Sequence, residues 1–187
     1  MRVFLILMFL FLIQTFAFSQ NERLKSLFVY NFAKNIEWPA RYNEGDFVIT
    51  ALGNSTIYDE LQQNVKGKRI GNQTVQVRHA AQLSDVGKCH ILYITFQESD
   101  MIEAVGKRLQ GTSTVIVTEK NGMIGHGADI NIIECNGKLR FEIDPTRLEK
   151  KRIIASQKLL EMGIKHESED TKKKQLSESP DDTHVPR

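Results

Sequence analysis

The run "CHILYITF", Cys89 to Phe96, is almost unbroken in apolar and β-branched residues, where a strand with one wet face would alternate apolar with polar. A strand apolar on both faces needs cover above and below, which is the situation inside a parallel sheet. "DFVITALG" (Asp46 to Gly53) and "TVIV" (Thr114 to Val117) share the property. Between these runs the period changes. "TIYDELQQNV" repeats Ile57, Leu61 and Val65 on one helical face, and Glu98 to Leu109 places Met101, Ile102, Val105 and Leu109 together. With the short strand "TVQV" (Thr74 to Val77), the alternation predicts an α/β domain, a mainly parallel sheet flanked by helices.

The end of the domain departs from that rhythm. Asn136-Gly137 lies between "DINIIEC" and "KLRFEI", and both residues tolerate the positive φ of a type I′ turn, so a C-terminal antiparallel β-hairpin is expected. A two-residue loop would pair Ile132 with Phe141 and Ile130 with Ile143, leaving Asn131, Ile133 and Cys135 on the other face with Glu142, Arg140 and Lys138. Asp144-Pro145 reads as a cap and first helical residue. It opens a long terminal helix through "TRLEKKRIIASQKLLEMG" that closes at Gly163, docked by Leu148, Ala155, Leu159 and Met162.

The first helix raises a question. In "SLFVYNFAKNIEWP" and the residues before it, Leu24, Leu27, Phe28, Phe32 and Ile36 recur on one face, yet Asn31 and Asn35 fall inside that arc. Buried amides must find partners, so the pair is read as tying down backbone in preference to gripping a ligand. Pro39 disfavours helix at Trp38, ending the element there, and the indole is read as a packed lid over the helix end.

The chain's two ends lie outside this domain. Met1-Arg2, the apolar "VFLILMFLFLIQTFAF" and the small residues Ala17 and Ser19 make a secretory signal peptide over 1–19, cleaved before Gln20. The apolar run is short for a membrane span and contains Gln14 and Thr15. The mature domain is expected over 20–164. From 165 to 187 the chain is polar and charged, with too little apolar surface to offset ordering, and a disordered tail is expected. The formal net charge is +2 with cations scattered among acids, which leaves no footprint for nucleic acid. An exported chain can form disulfides. Cys89 and Cys135 could make one bridge or remain two buried thiols.

Chemistry-bearing motifs are sparse. Gly53-Asn54-Ser55-Thr56 lacks the spacing and lysine of a phosphate loop; Asn54 and Ser55 either cap the next helix or form a generic anion site. His126 sits in the glycine-rich "NGMIGHGADIN", which either covers a ligand or merely allows a tight connection to Asn131. His79, His90, His126, His166 and His184 show no metal spacing, and Ser84 and Ser99 lack a nucleophile elbow. No catalytic residue, cofactor or metal site is expected.

The blocks "LFVYNFAKNIEWP", "FVITALGNSTIYDEL", "GKRIGNQTVQVRHA", "CHILYITF", "GHGADINIIECNGKLRFEID" and "IASQKLLEMG" together resemble the YfiR family, the domain of unknown function 4154 family, from about Leu24 to Gly163. The resemblance implies a periplasmic, non-catalytic α/β protein. Members of that family bind the periplasmic domain of an inner-membrane diguanylate cyclase and hold it inactive, and their release raises cyclic-di-GMP; relatives are coupled to histidine kinases, and the family tends to form dimers. Its best-known members carry more cysteines, paired as bridges, than the two present here. The other reading is a periplasmic small-ligand sensor or carrier, with a pocket between the Gly53 to Ser55 crevice and the His126 loop.

Overall fold

The computed structural model describes residues 21–53 and 56–166. Residues 1–20, Asn54, Ser55 and 167–187 lie outside them, and with them the signal-peptide and tail expectations. The elements in chain order are α1 (21–34), β1 (Ile36–Glu37), β2 (Phe47–Leu52), α2 (Ile57–Val65), β3 (Arg69–Ile70) and β4 (Gln73–Ala80). They continue with β5 (Ile91–Ile94), α3 (Ile102–Arg108), β6 (Val115–Thr118), β7 (Ile130–Cys135), β8 (Lys138–Ile143), α4 (Pro145–Lys150), β9 (Ile154–Ala155), α5 (Gln157–Met162) and β10 (Ile164–Lys165).

One sheet runs in the order β10-β8-β7-β6-β5-β2-β4-β3. The pairs from β4 through β2, β5 and β6 to β7 are parallel, as is β10 with β8, while β7 with β8 and β3 with β4 are antiparallel. Both faces of the central strands are covered, which is why those strands read as continuous apolar runs. Ile91 and Tyr93 of β5 join a core with Phe32 of α1, Leu61 of α2 and Leu159 of α5. Leu92 and Ile94 point the other way, into a second core with Ile102 and Val105 of α3 and Ile124.

β7 and β8 are joined through Asn136 (φ 53) and Gly137 (φ 70), and their register pairs Ile132 with Phe141 and Ile130 with Ile143, the partners read from the sequence. Asp144 caps α4 by accepting from the Arg147 amide at 3.0 Å, with Pro145 at its first position.

The long terminal helix is not formed. The segment divides into α4 and α5, separated by Arg152 in a left-handed conformation (φ 60) and by β9, which pairs antiparallel with β1 through Ile36↔Ala155 and Glu37↔Ile154. Consecutive β-branched Ile153 and Ile154 fit helix poorly, and Ser156 supplies a fresh cap by accepting from the Leu159 amide at 3.2 Å. Met162 is consequently half exposed and Ile153 fully buried. The segment read as one helix from Glu98 begins as a 3-10 turn (Phe96–Met101) before α3, leaving Met101 on the outside.

Candidate functional site

Helix α1 is rotated relative to the arc read from its sequence. Its inward face is Glu22, Ser26, Val29, Phe32 and Ala33, all buried, whereas Leu24 and Leu27 are 42% and 39% exposed. It also stops earlier than expected, at residue 34, and Ile36 belongs to β1.

The inward polar residues have distant partners. Lys25 ion-pairs with Glu22 at 2.7 Å and with Glu119, whose carboxylate also accepts from the Tyr93 hydroxyl at 2.8 Å and the Phe96 amide at 2.8 Å. Burial would lower the Lys25 pKa, but hydrogen bonds and charge from Glu119 and Glu22 outweigh it and the net direction is up. Burial and the neighbouring Glu119 push Tyr93 well above the ordinary tyrosine range, so it stays a neutral donor.

With Leu24 and Leu27 turned outward, Phe28, Asn31 and Asn35 follow them along the same strip of α1. The strip forms one wall of a groove of about 390 Å³ whose other wall is α5, with Phe141 of β8 as floor and Lys34, Lys158, Leu159 and Met162 also lining it. Phe28 and Phe32 contact Phe141 edge-on at 5.9 and 4.9 Å between ring centroids. The surface next to this groove is apolar: Met162 is 51% and Ile164 38% exposed.

The two asparagines behave differently. Asn35 donates from Nδ2 to the Asn31 carbonyl at 2.8 Å, closing α1, and its own carbonyl accepts from the Ser156 amide at 2.8 Å. Asn31 lines the groove, and its carbonyl also accepts from the Asn35 amide at 3.2 Å. Trp38 is a buried lid, edge-on to Phe47 at 5.0 Å and to His90 at 5.7 Å, and its Nε1 has no hydrogen-bond partner among the described residues.

The remaining sequence candidates do not converge on a pocket. Asn54 and Ser55 lie outside the described residues, and the Gly53 turn before them is filled by Thr95 and Glu98, where a Cβ would have no room. His126 is exposed at the end of a 3-10 turn (Met123–His126), and the next residue, Gly127, accepts from Arg147. Asn131 is fully buried, accepting from Thr118 Oγ1 at 2.7 Å and donating to Glu142 at 2.9 Å, a cross-strand tie inside the sheet.

Cys89 and Cys135 are free thiols. The registers Tyr93↔Val117 and Val117↔Ile130 put them at opposite ends of the strands. That separation is about nine residue rises, on the order of 30 Å, far beyond disulfide reach. Burial pushes the Cys89 thiol up to about 11, so it is an inert core group. Among the described residues no group of His, Cys, Asp and Glu is placed to hold a metal ion, and no helix is long and apolar enough to cross a membrane.

Fold and groove together define an α/β domain built on a mixed, mostly parallel eight-stranded sheet, with an apolar cleft between its first and last helices. The chain belongs to the YfiR/HmsC-like family (domain of unknown function 4154), whose profile matches residues 22–164. No curated protein is significantly similar to it.

Proposed function

We propose that this protein is a non-catalytic periplasmic regulator, exported by a signal peptide over residues 1–19, that binds the extracytoplasmic domain of an inner-membrane signalling enzyme and holds it inactive. The enzyme is a diguanylate cyclase or a histidine kinase. Family membership across nearly the whole domain carries this reading. The groove between α1 and α5 supports it with a surface: exposed leucines and methionine beside an aromatic floor suit an apolar segment of a partner, and Lys34 and Lys158 suit flanking carboxylates on it. Repression needs only differential affinity; a hundredfold preference for the inactive state supplies about 2.7 kcal/mol.

The test deletes the gene and measures cyclic-di-GMP and kinase output, then restores it with the exported chain and with a version lacking residues 1–19. Regulation is expected to return with the exported chain alone. Unchanged output on deletion, or equal rescue by the unexported version, overturns the reading.

A further inference from the structure

A net charge of +2 spread along the sequence hides a concentration of cations that only the fold creates. Arg41, Arg147, Lys150, Lys151 and Arg152 line one cleft of about 360 Å³, between the end of α3, the turn at Gly111 and Thr112, and the end of α4. Among the described residues no carboxylate lines it. Beneath it lies Asp129, fully buried, which ion-pairs with Lys151 and with Arg147 Nε at 3.5 Å and accepts from the Ile116 amide at 2.7 Å. One carboxylate therefore anchors two of these cations, Arg147 and Lys151, while Arg152 and, from a distant part of the chain, Arg41 also line the cleft.

Cations in the last turn of a helix are ordinary, since they suit the negative end of its dipole, and Arg147 and Lys150 of α4 fit that account. Arg41 and Arg152 do not. Arg41 stands on a 3-10 turn (Ala40–Tyr42) and reaches Ser113 Oγ at 3.2 Å and the Gly111 carbonyl at 3.4 Å through one amino group of its five-donor guanidinium. Arg152 occupies, at φ 60, the left-handed position after a helix that glycine or asparagine normally fills. A residue kept in such a backbone conformation despite an easier alternative points to a use for its side chain.

We propose that this cleft binds a phosphate-type oxyanion, held by the forked donors of Arg41 and Arg152 over the Arg147 and Lys151 floor. Guanidinium groups match phosphate oxygens two at a time, and the cleft has room for a phosphate with a small substituent. The same chemistry is offered by a dissolved phosphate compound and by an anionic phospholipid headgroup.

The mature exported chain is titrated with inorganic phosphate against sodium chloride at matched ionic strength, reading heat and thermal midpoint. In a second arm it is sedimented with vesicles of phosphatidylglycerol in phosphatidylcholine, and of phosphatidylcholine alone. Phosphate is expected to bind and raise the midpoint above the chloride control; retention on the mixed vesicles alone assigns the headgroup, and binding of phosphate without vesicle retention assigns a dissolved ligand. Arg152→Gly is expected to keep or raise the midpoint of the unliganded protein, because glycine suits the left-handed backbone, while weakening anion binding about tenfold. Arg41→Gln, at an exposed site, is expected to weaken it similarly. Absence of binding in both arms, or wild-type affinity in both variants, overturns the proposal. Either result leaves the regulatory reading untouched, since output of the partner enzyme is not measured.

Discussion

His90 and Val48 exchange two hydrogen bonds: the His90 amide donates to the Val48 carbonyl at 2.8 Å, and the Val48 amide donates to the His90 ring Nδ1 at 3.0 Å. With Nδ1 accepting, Nε2 carries the proton and donates to the Tyr42 carbonyl at 2.7 Å. The ring is stacked on Phe47 at 4.2 Å between centroids. It thus joins β2, the strand beginning at Ile91 and the turn after α1.

A neutral ring is required there. Burial, with the charge of Lys88, holds His90 below the ordinary 6.5, against the bond to Tyr42, which pulls it up. Between the depressed folded value and 6.5 the unfolded chain binds more protons, so this contribution is complete above 6.5 and is lost as pH falls through the folded value. His90→Ala is expected to cost about 2–4 kcal/mol at pH 7.5, from the cavity and the unpaired Val48 amide. The gap between wild type and variant in urea unfolding should narrow toward pH 5; a gap constant with pH would show that the ring is not held neutral.

Gly137→Val isolates backbone strain, because a Cβ at Gly137 meets nothing within 4 Å while its φ of 70 is one that valine resists. A loss of about 1–3 kcal/mol is expected in chemical denaturation. Unchanged stability would mean the turn adopts another type at no cost.

Gly163→Ala tests the opposite case. Gly163 has an ordinary φ of −89, but its Cβ would strike the Phe141 ring and Ile143. The glycine is there for close approach of the chain to β8, and overpacking by one methyl is expected to cost about 1–3 kcal/mol. Hydrogen exchange should show β10 released first; wild-type protection of β10 would contradict the crowding.

Leu27→Asp and Met162→Asp probe the groove. Both side chains are exposed, so each variant should unfold within about 0.5 kcal/mol of wild type while failing to restore repression in the deletion strain. Full repression by both would remove the groove as the partner surface.

The strands were legible because burial on both faces is written directly into composition, and the hairpin because Asn136-Gly137 has few alternatives to its turn. The orientation of α1 was not. Leu24, Leu27 and Phe28 carry the stronger apolar period, but Lys25 is drawn inward by Glu119, a partner 94 residues away that leaves no local trace, and Glu22 pairs with Lys25. The break between α4 and α5 escaped for the same reason: what interrupts the helical period is pairing with β1, at the other end of the domain. The cationic cleft joins Arg41 to Arg152, and only the finished fold brings them together.

The contact between Asn35 and Ser156 spans 121 residues, and the β1–β9 pairing beside it, Ile36↔Ala155 and Glu37↔Ile154, is nearly as long in range. Helix α1 therefore takes its cover from the whole length of the domain, from Leu61 and Tyr93 in the middle to Leu159 near the end. The two ends of the domain act as a clasp: trimming either one back past this contact unfastens the other, so neither can be shortened independently.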